Sequence, residues 1–131
     1  MGLFQRGEFT LASGAKSQRK IECDALTQED WDALAAMAVE FLPPFSVTVG
    51  VPRGGIPFAQ ALQPYQTLEA STILVCEDVV TTGGSIAQYR KQLEEVYPNP
   101  FKYLGVCVFA RGKCPDWVTP LFQMPIKRRR S

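Results

Sequence analysis

Histidine is absent from this 131-residue chain, which removes the commonest general base and a frequent zinc ligand. The four cysteines are Cys23, Cys76, Cys107 and Cys114, and none of them forms a Cys-x-x-Cys pair, so the spacing does not predict a zinc site. Any catalysis must therefore rest on carboxylates, lysine, arginine, a metal ion and positioning. Cys76 and Cys107 lie in apolar runs, which indicates buried thiols, and the usage is typical of a reduced, cytoplasmic protein.

Long apolar runs and a strong charge of either sign are also missing. No run approaches the roughly 20 residues that cross a membrane, and the first six residues lack the apolar segment of a signal peptide. With 14 basic and 13 acidic side chains the net charge is +1, which argues against a nucleic-acid surface. The basic end, residues 127–131, is interpreted as a solvated tail, with contact to phosphate or nucleic acid as the alternative.

Strand and helix signals alternate along the chain, which has the length of a single domain. Thr27 is a good helix N-cap with Asp30 three residues later, and the apolar period of that helix runs to about residue 42. Further helices are predicted over residues 56–62 and 85–96. Apolar or β-branched runs predict strands, at residues 9–14, 20–23, 45–51, 72–76 and 103–109.

This alternation predicts an α/β fold, since continuous apolar strands separated by helices are typical of a parallel sheet with helices on both faces. The last segment, residues 110–126, contains three prolines and is predicted to be an irregular cap. No linker is long enough to separate two domains.

The most informative stretch is residues 73–85, Ile-Leu-Val-Cys-Glu-Asp-Val-Val-Thr-Thr-Gly-Gly-Ser. An apolar strand leads to two carboxylates, Glu77 and Asp78, and a turn of small residues then opens a helix. Small residues and a helix N-terminus suit a phosphate group, while paired carboxylates accept hydrogen bonds from neighbouring hydroxyls or hold a divalent cation. A ligand such as ribose 5-phosphate offers both groups. The alternative is a strand–helix turn that binds nothing.

Two other turns follow predicted parallel strands, and such turns meet at the carboxyl edge of a sheet. Residues 52–55 read Pro-Arg-Gly-Gly, and residues 110–113 read Ala-Arg-Gly-Lys. Both contain glycine and a cation, so the three turns together predict an anionic ligand.

Residues 73–85 resemble, position by position, the phosphoribosyl-pyrophosphate (PRPP) signature of type I phosphoribosyltransferases. Residues 49–57 resemble the pyrophosphate loop of the same family, and residues 9–17 resemble the start of orotate phosphoribosyltransferases. The likeness covers most of the chain in the right order. It implies a compact type I fold with a small hood from about residues 1–26 and 110–126, and a homodimer.

The resemblance also implies a role for each site residue. Glu77 and Asp78 would hold the ribose hydroxyls, and with Arg53 they are the catalytic candidates. Pyrophosphate would bind to Arg53, Gly54 and Gly55 together with Mg²⁺, for which Asp78 is a candidate ligand, mainly through PRPP. The remaining PRPP-binding candidates, which surround the 5-phosphate, are Val80, Thr81, Thr82, Gly83, Gly84 and Ser85. Weaker candidates for the nucleobase are Lys16, Arg111 and Trp117.

The chain departs from the orotate enzymes at residues 63–71. Those enzymes carry a long mobile loop with a catalytic lysine there, whereas this segment has no lysine, arginine or histidine. Cations of the N-terminal hairpin or aromatic residues of the C-terminal cap are possible substitutes. Two functions stay open: transfer of ribose 5-phosphate from PRPP to a nucleobase, with orotate or another pyrimidine favoured, or a regulator that binds PRPP or a nucleotide without transfer. A nucleotide hydrolase is disfavoured because no nucleophile is evident.

Overall fold

The structure, a computed structural model, describes residues 9–10, 16–17, 25–97 and 100–125. Its main sheet has four parallel strands in the spatial order β3–β4–β5–β6. Their bounds are Val47–Gly50, Thr72–Val80, Lys102–Ala110 and Val118–Gln123. Two short strands, β1 (Phe9–Thr10) and β2 (Lys16–Ser17), form a separate antiparallel pair. The helices are α1 (Gln28–Ala38), α2 (Ile56–Leu62) and α3 (Gly84–Val96), so the predicted α/β fold is confirmed.

Helix α1 begins where the sequence predicts. The Thr27 side chain accepts from the Asp30 amide at 3.2 Å, and the Asp30 carboxylate accepts from the Thr27 amide at 3.0 Å, which forms a capping box. The helix ends at Ala38, before the predicted end, because residues 39–42 continue as turns. No helix in the described part of the chain is long and apolar enough to cross a membrane.

The core has two layers, one on each face of the sheet, because successive strand residues point to opposite faces. On one face, α1 and α2 pack over Leu74 and Cys76 of β4 and over Val106 and Val108 of β5. On the other face, Ile86 and Leu93 of α3 pack with Ile73, Val75 and Cys107. The prediction of helices on both faces is therefore confirmed.

The three crossover connections do not share one hand. Each steps in the same direction across the sheet, yet α2 lies on one face while α3 and the β5–β6 connection lie on the other. The β3–α2–β4 crossover therefore has the opposite hand to the other two. Because about 98% of such connections are right-handed, we assign the left-handed one to β3–α2–β4.

The lysine-free segment 63–71 is a short connection held against the edge of β3. It begins with a 3₁₀ turn, Gln63–Tyr65, and leads directly into β4. The Gln66 side chain accepts from the Thr48 amide at 2.9 Å, and the Thr67 amide donates to the Phe45 carbonyl at 2.9 Å. These contacts satisfy part of an edge that would otherwise present free backbone groups.

One sequence prediction is wrong: residues 110–126 are not wholly irregular. Val118–Gln123 form β6, which pairs in parallel with β5 and places Pro120 opposite Cys107. Only seven residues, 111–117, connect the two strands, fewer than the dozen or so that a parallel crossover usually needs. Within the main sheet β6 pairs with β5 alone, so Pro120 is tolerated because an edge strand has one unpaired side.

A substitution at Phe58 tests the packing of α1 and α2 on this face of the sheet. Its side chain is fully buried and its ring lies 5.9 Å from that of Trp31, so Phe58→Ala should lower the free energy of unfolding by about 3–5 kcal/mol. The exposed neighbour Gln60 on α2 is the control, and Gln60→Ala should stay within about 0.5 kcal/mol of wild type. Urea denaturation measures both, and equal losses would contradict this packing.

Candidate ligand site

The first turn, residues 52–55, closes directly onto strand β4. The Val51 amide donates to the Cys76 carbonyl at 2.8 Å, and a Cβ added to Gly55 would overlap that same carbonyl. A Cβ added to Gly54 would overlap the Asp78 carboxylate. The two glycines therefore let the turn that carries Arg53 lie against the end of β4. The Pro52–Arg53 peptide bond in this turn is cis.

The third turn, residues 110–113 after β5, lies in the same way against the second turn, residues 81–85 after β4. The Arg111 amide donates to the Val80 carbonyl at 2.8 Å, and a Cβ on Gly112 would overlap the Thr81 carbonyl. Three residues further on, the Pro115 ring lies 2.9 Å from the position of a Cβ on Gly83. The first turn thus lies against the end of β4, and the turn after β5 lies against the turn that follows β4, in each case through backbone and glycine.

The second turn leads into an uncapped helix N-terminus. Gly83, at φ 87°, is the N-cap of α3 and offers no side chain, and the first turn of the helix contains no acidic residue. Helix α1 differs, because its N-terminus is closed by the capping box and carries Glu29 and Asp30. Thr82 Oγ1 accepts from the Gly84 amide at 3.3 Å, but the N-cap residue itself offers no side chain to the helix, so the dipole end of α3 can bind an anion.

A small pocket opens in front of this helix end. It has a volume of about 40 Å³, enough for a few water molecules or one tetrahedral oxyanion. Its lining consists of Glu77, Val79, Val80, Thr81, Thr82, Gly83, Gly84, Ser85 and Ile86. The predicted phosphate residues therefore share one pocket with one of the two predicted ribose carboxylates.

The two carboxylates differ in exposure. Glu77 is only 7% exposed, whereas Asp78 is half-buried beside Gly54. Glu77 Oε1 accepts from the Asp78 amide at 3.1 Å, and Asp78 Oδ1 accepts from the Val79 amide at 2.7 Å. Burial raises the pKa of Glu77 to about 8, with a side-chain hydrogen bond to Asp78 adding to the rise.

The pair supplies oxygen donors of the kind that Mg²⁺ prefers, so a magnesium ion fits the chemistry of this corner. Asp78 is the more exposed of the two and is therefore the better candidate for a protein ligand. Across the described residues, this corner included, no group of three or more acidic, cysteine or histidine side chains is arranged to hold a metal ion, so Mg²⁺ would need ligand oxygens as well.

The structure brings only part of the predicted nucleobase set to this edge. Of that set, Arg111 is exposed on the third turn beside the pocket. Arg53, which was predicted for pyrophosphate, is exposed on the first turn. Lys16 belongs to β2, and its side chain lies outside the described residues, as does the basic tail. Trp117 lies beside Gly105, five residues or roughly 16 Å before the end of β5. The Arg90 guanidinium covers its ring at 4.7 Å, so Trp117 packs against α3 rather than at the site.

The sequence does not predict some of the residues that line or support the site. Val79 and Ile86 line the pocket, and Pro115 supports Gly83 from the β5–β6 connection. The alternation of β4 and the position of Ile86 in the first turn of α3 could have identified the first two. Nothing local in the sequence signals the contact of Pro115, because it depends on the register of β6.

Comparison with solved structures identifies the fold. The orotate phosphoribosyltransferase from Aeropyrum pernix is similar over 90% of this chain and 86% of its own, at 21% identity and a TM-score of 0.64. The chain has a type I phosphoribosyltransferase fold. The UMP synthase of Leishmania donovani is similar over 82% of this chain, at 16% identity and a TM-score of 0.55, but the chain spans only 28% of that protein. No protein-family model and no curated protein matches the sequence.

The buried Glu77 predicts a pH-dependent stability. Its pKa in the folded protein, about 8, exceeds its ordinary value of 4.5, so the stability it contributes is complete below pH 4.5 and is lost as the pH rises to about 8. The slope should reach about 1.4 kcal/mol per pH unit in that window. Glu77→Gln cannot ionise and should flatten the curve, whereas Glu95→Gln on the exposed side of α3 should not. Urea denaturation from pH 4 to pH 9 measures this, and parallel curves for wild type and Glu77→Gln would contradict it.

Two adjacent glycines give a matched pair of substitutions at the pocket. Gly83→Ala should lose about 1–2 kcal/mol, because φ 87° is unfavourable for alanine and Pro115 occupies the space. Gly84 has a helical position with only Thr82 Oγ1 nearby at 3.5 Å, so Gly84→Ala should be neutral or stabilise by up to about 1 kcal/mol. Denaturation midpoints compare the two variants, and a loss at Gly84 as large as at Gly83 would refute the assigned geometry.

Proposed function

We propose that this protein binds PRPP with Mg²⁺ and transfers ribose 5-phosphate to a nucleobase-type acceptor, with release of pyrophosphate. The observation that carries the proposal is the shared pocket, in which the N-terminus of α3 faces a phosphate-sized space beside the buried carboxylate of Glu77. An anion and a sugar diol on one ligand match these two features. The fold of orotate phosphoribosyltransferase supports it, and a pyrimidine such as orotate is the favoured acceptor.

Different residues of the site would bind different parts of the ligand. The amides and hydroxyls of the turn from Thr81 to Ser85 would bind the 5-phosphate, and Glu77 and Asp78 would accept from the ribose hydroxyls. Arg53, Gly54 and Gly55 would bind pyrophosphate. The contact of Gly54 with the Asp78 carboxylate supports this division, because it joins the pyrophosphate turn to the ribose side of the pocket.

In the transfer step, a ring nitrogen of the acceptor forms a bond to C1 of the ribose while the bond from C1 to the pyrophosphate oxygen breaks, and the proton of that nitrogen passes to the leaving pyrophosphate. Positive charge develops on the ribose and negative charge on the leaving group. The carboxylates stabilise the first, and Arg53 with the adjacent backbone stabilises the second, so positioning and electrostatics supply the catalysis. A bound Mg²⁺ would neutralise charge on the pyrophosphate.

The second candidate is a regulator that binds PRPP or a nucleotide without transfer. The position of residues 63–71 favours it, because Gln66 and Thr67 fasten this connection along β3 and toward Phe45, which precedes that strand. The segment therefore lies away from the carboxyl edge that holds the pocket. Arg53, Arg111 and Lys113 remain as the exposed cations on the turns beside it.

Calorimetry with PRPP and Mg²⁺ tests the site itself. Wild type should bind, and Asp78→Asn should weaken binding at least about tenfold, or 1.4 kcal/mol, since it removes a charge from the ribose and magnesium side. Glu95→Gln, on α3 away from the pocket, is the control with an equal change of charge and should bind like wild type. Absence of PRPP binding to wild type would refute the proposal.

Release of pyrophosphate in the presence of a panel of pyrimidines and purines separates the two candidates. Turnover that depends on one base establishes the transferase and names the acceptor. Tight PRPP binding without release of pyrophosphate for any base supports the regulator instead.

A further inference from the structure

Two thiols lie next to each other near the turn from Thr81 to Ser85. Cys107 Sγ and Cys114 Sγ are 4.0 Å apart, and neither cysteine is in a disulfide. Cys107 is fully buried in β5, whereas Cys114 is half-buried in the connection to β6. The third described cysteine, Cys76, is buried on the opposite face, where its thiol donates to the Leu74 carbonyl at 3.8 Å.

Both members of the pair touch parts of the candidate site. Cys107 is the register partner of Glu77 on the neighbouring strand. Cys114 stands between Gly112, which abuts the Thr81 carbonyl, and Pro115, whose ring abuts Gly83. A displacement of Cys114 must therefore be transmitted to the turn from Thr81 to Gly83, because neither contact leaves free space.

We propose that Cys107 and Cys114 form an intramolecular disulfide under oxidation. This bond displaces the turn from Thr81 to Ser85 and weakens anion binding there. A disulfide needs a separation of about 2.05 Å, so the two sulfurs must approach by about 2 Å from their present 4.0 Å. Cys107 is fixed in the sheet core, and the connection that carries Cys114 makes the movement. The effect on anion binding rests on the proposed function, whereas formation of the bond does not.

The oxidant is a low-molecular-weight disulfide such as glutathione disulfide. The Cys114 thiol loses its proton and attacks one sulfur of the oxidant, whose sulfur–sulfur bond breaks to release one glutathione thiolate. Cys107 then loses its proton and attacks Cys114 Sγ, which releases the second glutathione. Two protein thiols are oxidised to one disulfide, the oxidant is reduced to two thiols, and the two protons pass to the leaving thiolates.

The order of the steps follows from exposure. Cys114 is reachable from solvent and Cys107 is not, so Cys114 reacts first and Cys107 resolves the mixed disulfide. Burial raises the pKa of both thiols, and the pKa of Cys107 is raised further by Cys114 and by the Glu77 and Asp78 carboxylates. The exchange should therefore be slow at neutral pH and faster in mildly alkaline solution.

The test compares reduced protein with protein treated with glutathione disulfide, for wild type, Cys114→Ser, Cys107→Ala and Cys76→Ala. Thiol titration after denaturation and peptide mass mapping should show two thiols lost as a 107–114 link in wild type and Cys76→Ala. Neither variant of the pair should form that link. A stable glutathione adduct on Cys114 alone, or unchanged thiols, would overturn the proposal.

The effect of the disulfide on anion binding is tested by two measurements on the same samples. Oxidised wild type should bind ribose 5-phosphate at least about tenfold more weakly than reduced wild type, and the amides of residues 81–86 should change their hydrogen-exchange rates. Cys114→Ser should show neither change. Unaltered exchange in a fully linked protein overturns the coupling even if ribose 5-phosphate does not bind. Failure of the reduced protein to bind that ligand counts against the proposed function alone.

Discussion

Close backbone approach at the carboxyl edge of the sheet is the constraint on which the rest of this site depends. Gly55 lies against the Cys76 carbonyl, Gly54 against the Asp78 carboxylate and Gly112 against the Thr81 carbonyl, and none of these positions has room for a Cβ. Side chains at these glycines would push the turns apart and separate the groups to which we assign the phosphate, ribose and pyrophosphate of the proposed ligand. The parallel register of β3, β4 and β5 brings the turns to the same edge, and the glycines then let them touch.

The same arrangement has an electrostatic consequence. Turns that cover the end of β4 also remove Glu77 from water, which favours its protonated form and places its folded-state pKa near 8. Stability at neutral pH is reduced as a result, which is a common cost where a fold keeps a carboxylate ready for a ligand. Hydroxyl donors or a cation from a ligand would restore the interactions that burial takes away. The pair is therefore well suited to a polar, cationic or metal-bearing partner.

Much of this could be predicted from sequence because the relevant signals are local. Apolar runs located β4 and β5, the capping box located α1, and small residues after Asp78 located the turn that leads into α3. The strand β6 was missed because Pro120 suppresses a strand signal and because a seven-residue parallel connection is unusually short. The positions of Trp117, Pro115 and Cys114 depend on the register of β6, which no local pattern encodes. Trp117 was accordingly considered for the nucleobase, although the structure places it under Arg90.

The β3–α2–β4 crossover bears on how the site can work. It contains a segment, residues 63–71, that turns straight from α2 into β4. Gln66 and Thr67 tie that segment to β3, so closure over a polyanion is not available from it without breaking those bonds. In the proposed transfer, charge compensation for the departing pyrophosphate must then come from the turns themselves, through Arg53, Arg111 and Lys113, and from a cation that the ligand carries. Binding needs only the rigid turns, whereas transfer also needs water to be excluded, so the architecture supports ligand recognition more directly than it supports turnover.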